Sequence, residues 1–482
     1  MANPGMLEDE DGLPERTRGL ALAVLIIGTV MAVLDSSIAN VALPTLSREL
    51  HVDAARSIWV VNAYQVAVTM LLLPFASLGD VLGLRKVYTA GIAVFTLGSL
   101  GCALSSTLAM LVVWRVVQGV GAAALMSIAP ALMRTIFPAA MLGTAVGISA
   151  FTVASSSAAG PTIGGSILAI APWPWIFAVN VPIGLFDTVF ATRVLPKMRG
   201  NGARFDVASA LLSGPALALV VIGLEGISRH VAPALIVAML ATSVALGIAF
   251  VRRQRALAHP MLPLDLFAMP RFSLAAATSL CSFTAQGIAF VALPFLFQGA
   301  YGFSPFVAGL LFTPWPLAIA IAAPLAGRLS DRLPPVRLST IGLGILALGL
   351  ALLAGLPTRP TALDIVWRAI VCGIGFGFFQ APNNRELLGS APRNRSGSAG
   401  GILATMRLSG QSLGAACVAI VLGSAATASA LANASHASDL APQAHLALWL
   451  ASGVAALATA VSATRLGLPR PLPVVRSRTP AS

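Results

Sequence analysis

The 482-residue chain has few ionisable side chains, and several of them stand inside long apolar runs. Asp35 lies in a run at about 20–41 and Arg115 in another at about 108–133. An ionisable group at membrane depth is costly to hold, and it is usually found where ions or protons pass. A carboxylate beside a guanidinium can do one kind of chemistry without a cofactor. The arginine favours the ionised acid and burial favours the neutral one, so a proton can load and leave as the surroundings change. If the first run heads outward and the fourth returns, both residues sit about six positions from the outer end. That is roughly 9–10 Å deep at the helical rise, so an Asp35–Arg115 pair is geometrically possible. A permanent structural ion pair is the alternative.

Other charged residues are Asp187 in the middle of its run, Glu225 and Glu386 near the ends of theirs, and Arg407. Asp364 and Arg368 are spaced i, i+4, which suits a local ion pair. Arg407 lies about nine residues into its run, deep enough to bind an anionic group or a backbone carbonyl.

Other chemistries lack their residues. Cys102, Cys281, Cys372 and Cys417 each stand alone, with no metal-ligand spacing and no CxxC, so neither a metal nor a disulfide is expected. No nucleophile–base constellation argues for an enzyme, and no cofactor is implied. The net charge of +13 would suggest nucleic acid in a soluble protein, but here the basic residues sit in short loops between apolar runs. No nucleic-acid partner is expected.

The elements that must position these residues follow from composition. Hydrophobic residues make up 57% of the chain and charged residues 10%, against roughly 25% charged in soluble domains. A soluble core could not hide that much apolar surface. A span needs about 20 mostly apolar residues. Such stretches occur at about 20–41, 58–78, 86–104, 108–133, 141–169, 174–195, 207–227, 232–251, 272–298, 306–327, 336–356, 362–381, 398–422 and 444–464. Lipid offers the backbone no hydrogen-bond partner, so each span is a helix, and the fold class is all-α integral membrane. With fourteen spans both termini share a side. Placing them in the cytoplasm puts 23 of the 30 Lys and Arg residues inside, 4 outside and 3 within spans, as the positive-inside rule requires. A multi-pass protein of the bacterial inner membrane is expected, its basic cytoplasmic face touching anionic lipids.

The chain also repeats itself. Leu78-Gly79-Asp80 with Gly83, Arg85 and Lys86 follows the second span. Leu329-Ser330-Asp331 with Arg337 follows the tenth, and the two aspartates are 251 residues apart. Trp114-Arg115 and Trp367-Arg368 are 253 apart. The expected organisation is an N-terminal tail (1–19), a six-helix half (20–195), a linker with an inserted two-helix hairpin (196–255), a second six-helix half (256–465) and a C-terminal tail (466–482). Parallel repeats favour a transporter with its site between the halves. In helix 5, Gly160 and Gly164 have the GxxxG spacing that permits close helix contact, and Pro161 removes a backbone donor. Candidate cavity residues are Trp59, Asn62, Tyr64, Gln118 and Gln286, with Phe283 and Phe376 as apolar walls.

Six stretches, in order, resemble the major facilitator superfamily and, within it, the fourteen-helix drug:proton antiporters. Leu34-Asp35-Ser36-Ser37 through Pro44 is similar to the family's helix 1 motif, and Trp59 through Tyr64 to its helix 2 signature. Gly79-Asp80 through Arg85-Lys86 resembles the loop 2–3 motif, with Ala76 where a Gly is usual and Val81 where a basic residue is usual. Arg115 through Gln118, Gly119 and Gly121 resembles the helix 4 motif. Gly160-Pro161 through Gly164-Gly165 resembles the helix 5 antiporter motif, and Trp175 through Gly184 the opening of helix 6. The resemblance implies the major facilitator fold, Asp35 as proton carrier assisted by Arg115, and a cytoplasmic gate at Asp80, Gly83, Arg85 and Lys86, with Asp331 as the repeat's counterpart. Helix 13 carries Arg407 and no acid, so monovalent cations, neutral apolar compounds and anions remain open as substrates.

The leading expectation is a monomeric antiporter, driven by the proton gradient, that exports small amphipathic compounds. A symporter taking up an organic anion is the second reading, and a non-transporting membrane scaffold the third.

Overall fold

The computed structural model describes residues 12–138, 141–197, 205–228, 231–257, 264–330, 332–390, 396–431 and 441–468. Among the described residues there is no strand, and fourteen helices are long and apolar enough to cross a membrane. The protein is an all-α, multi-pass membrane protein. The spans are α1 (Glu15–Glu49), α2 (Ala54–Leu82), α3 (Leu84–Ala103), α4 (Leu108–Ile136), α5 (Phe151–Ile170), α6 (Trp175–Val194) and α7 (Val207–Leu224), followed by α8 (Pro233–Ala256), α9 (Pro270–Ala300), α10 (Pro305–Leu329), α11 (Pro335–Ala354), α12 (Ala362–Leu388), α13 (Gly401–Gly423) and α14 (Ala441–Gly467).

Several ends differ from the sequence expectation. Helix 1 runs from Glu15 to Glu49 rather than 20–41, with Pro44 inside it, so Arg16, Arg18 and Arg48 are helical rather than loop residues. Hydropathy marks only the greasy part of a helix, and the hydrogen-bond ladder continues past it into the polar boundary. Helix 6 opens with a separate turn, Trp175–Ala178, before Asn180–Val194. The last turn of α9, Leu296–Ala300, widens into a π-helix.

The first six helices pair in a pattern that the last six reproduce. α1 lies against α4, α5 and α6, α4 against α2 and α3, and α3 against α6. In the same way α9 lies against α12, α13 and α14, α12 against α10 and α11, and α11 against α14. Between the two sets, α5 meets α10, α2 meets α13 and α1 meets α9. The α7–α8 hairpin leans through α7 on α2 and α13. Burial reflects these positions: 78% of the α9 span is covered by protein, against 11% of α8. Large apolar side chains such as Leu104, Ile170, Leu211 and Val237 point outward, as lipid-facing residues do.

The first and last described segments lie at the same ends of their helix sets. Leu13 donates to the Ile136 carbonyl at the end of α4, and Arg271, opening α9, donates to the Leu468 carbonyl beyond α14. That end is here called the basic face. On it Asp206 accepts from Arg253, which ties the start of α7 to the end of α8. That hydrogen bond, aided by two from Ser209, holds the Asp206 carboxyl below its usual range. On the opposite face the two sets touch closely: Gln298 donates to the Val41 carbonyl at 2.8 Å, and α5 lies against α10.

Candidate functional site

The site starts from Asp35. Its helix, α1, is crossed by α4 and α6, and each supplies polar atoms to the carboxylate. Arg115 pairs with Oδ2. Gln118 and Asn180 each donate to Oδ1 at 2.9 Å. Arg115 and Gln118 are three residues apart on α4, a spacing that puts both on one face. Gln118 Oε1 accepts from Arg115 at 2.6 Å, and its amide also reaches the Ser99 hydroxyl of α3 at 2.8 Å. Arg115 Nε donates to the Val60 carbonyl of α2 at 2.8 Å, and the guanidinium lies over the Tyr64 ring, 4.2 Å from its centre. Tyr64 in turn donates to the Ala32 carbonyl at 3.1 Å. Asp35 is 2% exposed and Arg115 and Gln118 are fully buried. Arg115 Nη2 is buried without a partner.

This arrangement is a charge pair in a dry place with its remaining lone pairs satisfied. The hydrogen bonds to the carboxylate offset the desolvation of the two ions, while the Arg115 Nη2 group remains an unmatched donor. Protonating Asp35 removes the charge on which three polar groups, Arg115, Gln118 and Asn180, converge, so one proton can reset contacts among α1, α4 and α6.

The helix 5 motif closes the opposite face. A Cβ at Gly160 would lie 2.4 Å from Ser37 Cβ and one at Gly164 3.0 Å from Ile38, so both glycines seat α5 on α1. A Cβ at Gly165 would lie 2.6 Å from the Pro305 carbonyl oxygen, and one at Gly309 2.3 Å from that of Pro161. The Thr162 and Thr313 hydroxyls meet at 2.5 Å beside this contact. Small residues here let the α5 and α10 backbones touch.

The other sequence candidates scatter. Gly83 breaks the chain between α2 and α3 with φ +99°, a conformation suited to glycine. Arg85 donates to the Thr192 carbonyl at the end of α6. Lys86 is exposed, and Asp80 is exposed and makes no hydrogen bond among the described residues, so Asp80 and Arg85 do not meet. Asp331 and the side chain of Glu225 lie outside the described residues. Gln118 belongs to the Asp35 cluster, and Tyr64 packs beneath Arg115. Asn62 and Gln286 are buried, and Trp59 is half-buried. Phe283 and Phe376 meet edge to face at 5.3 Å inside the second set of helices. Arg407, on α13, is half-buried with its Nε unpartnered.

Two expectations are corrected. Asp364 does not pair with Arg368. It accepts from the Thr361 hydroxyl at 2.7 Å and the Thr361 N–H at 3.1 Å, while Arg368 donates to the Leu352 carbonyl at 3.2 Å. A local cap competes successfully for the carboxylate. Arg465, one residue past the last apolar stretch (444–464) and so counted outside the spans, is fully buried in the final turn of the last described helix. It donates to Asn383 at 2.8 Å, to Glu386 at 3.2 Å and to Ser462 at 2.7 Å, and Glu386 also accepts from Arg271 at 3.0 Å. This network ties α9, α12 and α14 at the basic face. Glu386→Gln removes the carboxylate that Arg271 and Arg465 share. A stability loss of about 3–5 kcal/mol is expected, read as a lower unfolding temperature of the purified protein.

Sequence reading missed Asn180, Ser99 and Arg465. Asn180 stands in the helix 6 opening, but nothing in spacing says which of its polar residues faces α1. For Arg465 the available signal was Glu386, an acid near the end of a span that needs a cation at its own level.

Residues 25–415 match the family model described as Major Facilitator Superfamily. The chain is 48% identical over 462 residues to the uncharacterized transporter YebQ of Escherichia coli (strain K12), covering 95% of this chain and 98% of that protein. It is 31% identical to the riboflavin transporter RibZ of Clostridioides difficile (strain 630), covering 83% of this chain and 87% of that protein. It is 35% identical to the multidrug resistance protein Stp of Mycobacterium tuberculosis (strain CDC 1551 / Oshkosh), covering 84% of this chain and 76% of that one.

Proposed function

The chain belongs to the Major Facilitator Superfamily, and on that footing we propose that it is a proton-coupled antiporter exporting small amphipathic compounds. It is a transporter and not an enzyme. The observation that carries the coupling is the Asp35 cluster, in which a buried acid and Arg115 hold three helices together through a charge that a proton can cancel. A proton arriving from outside would neutralise Asp35, loosen its hold on Asn180, Gln118 and Arg115, and favour release of the compound outward. Its departure to the cytoplasm would restore the pair. The contact of α5 with α10 through Gly165 and Gly309 supplies a seam that can part and reclose. Likeness to a multidrug resistance protein supports export of amphipathic compounds.

A second reading is symport of an organic anion. Arg407, with an unpartnered Nε, and the free Nη2 of Arg115 favour it. The test is a panel of cationic, neutral and anionic compounds offered to everted membrane vesicles with an acidic lumen. Antiport predicts that at least one compound accumulates in the lumen, and that collapsing the proton gradient stops it. Accumulation that runs with the protons would establish symport instead, and indifference of every compound to the gradient would contradict both readings.

A further inference from the structure

Asp187 has no role in the cluster just described. It lies on α6, fully buried, and neither carboxylate oxygen has a hydrogen-bond partner. Its Oδ2 is 3.6 Å from where a Cβ on Gly28 of α1 would stand, and the Tyr88 hydroxyl of α3 is 2.4 Å from that same point. The missing side chain at Gly28 therefore leaves a niche that a carboxyl and a phenol share. Tyr88 itself holds only a long bond, 3.4 Å, to the Val24 carbonyl.

The niche keeps register with Asp35. Gly28 precedes Asp35 by seven residues on α1, and Asp187 follows Asn180, the Asp35 donor, by seven on α6. Seven residues are roughly 10 Å of helix, here toward the basic face. Between the two levels α6 has a second glycine, Gly184. A Cβ there would meet the Thr96 hydroxyl at 2.1 Å and the Met31 methyl at 2.9 Å. The Thr96 hydroxyl and the Met31 methyl therefore occupy the level between the two acids, and that hydroxyl donates to the Ile92 carbonyl at 2.8 Å. Beyond Asp187, Thr192 receives Arg85 at the basic end of α6.

The chemistry of the niche is narrow. An ionised carboxylate stripped of water and of donors costs several kcal/mol, whereas a neutral acid beside a phenol is tolerated. Packing alone gives no reason for the acid, since an apolar side chain would fill the space without that penalty. Tyr88 is the titratable group that faces Asp187 from α3. The α1 stretch from Leu20 to Leu34 and the whole of α5 carry no ionisable residue.

We propose that Asp187 and Tyr88 form a second proton-holding site, through which protons pass between Asp35 and the basic face. The proposal rests on the antiport reading for its direction. When the basic side opens, the Asp187 acid gives its proton to entering water. The resulting carboxylate then takes the proton carried by Asp35, passed on past Thr96, and Asp35 returns to Arg115.

Infrared spectroscopy of the purified protein in lipid nanodiscs tests this without any transported compound. At neutral pH the wild type should show the carbonyl stretch of a protonated aspartic acid, identified by carboxyl-labelled aspartate. Asp187→Asn should lose it and Asp35→Asn should keep it. Tyr88→Phe, which retains the ring, should shift the band. Raising the pH should bleach it in the wild type. A band that survives in Asp187→Asn, or that no pH change affects, overturns the proposal. Because this readout needs no substrate, proton-independent transport would sink the antiport reading and leave the proton site standing, and the converse holds equally.

Discussion

Asp35→Asn is expected to abolish transport driven by a pH gradient while the protein still reaches the membrane. The variant keeps the shape of the side chain and removes its charge. Arg115 is then buried with Gln118 and the Val60 carbonyl as its remaining polar contacts. Breaking a buried pair in this way costs about 3–5 kcal/mol of stability, so the purified variant should also unfold at a lower temperature. Asn180→Ala gives the contrast. It removes one hydrogen bond to a charged group, worth about 1.5–3 kcal/mol, and leaves the acid able to titrate. Gradient-driven uptake into everted vesicles separates the two: the Asn180 variant should be slowed yet coupled, the Asp35 variant uncoupled. Equal coupled rates in wild type and Asp35→Asn would remove Asp35 from the mechanism.

Gly309→Val is expected to open the seam on the opposite face. A Cβ at this position would lie 2.3 Å from the Pro161 carbonyl oxygen and 2.9 Å from its carbon. Neither neighbour is a flexible side chain, so α5 and α10 must move apart. The clash lies between the two sets of helices, so each can fold as before. Overpacking of this kind costs about 1–3 kcal/mol, a shift of roughly 5–150-fold in the balance between closed and open forms. Spin labels at Ile170 and Leu363, both exposed, on a background with the four cysteines replaced, report the separation. The distance distribution should move to longer values in the variant, and transport should fall because the cycle needs the closed form. An unchanged distribution with unchanged transport would show that this contact does not gate the seam.

Much of this was legible in the residues because a membrane imposes few rules and strict ones. Spans must be apolar and about 20 residues long, so all fourteen could be read, although Glu15–Glu49 shows that the helix outlasts its apolar part. Helical rise is fixed, so equal depths for Asp35 and Arg115 followed from counting, and the two do pair. What resisted reading was the choice among alternatives of similar cost. Asp364 had both Thr361 and Arg368 within reach, and spacing alone favoured the wrong partner. Asn180, Gln118 and Ser99 are uncharged and cheap to bury in many places, so the convergence of the first two on one carboxylate, with Ser99 behind Gln118, depends on how α3, α4 and α6 rotate against α1. Arg465 sits one residue past the last apolar stretch, where a loop arginine and a buried one look the same.

The most direct test of the account is the pH inside proteoliposomes when a transported compound is added with no gradient imposed. The account predicts proton movement opposite to the compound in wild type and none in Asp35→Asn. Protons moving with the compound, or an undiminished signal in the variant, would contradict it.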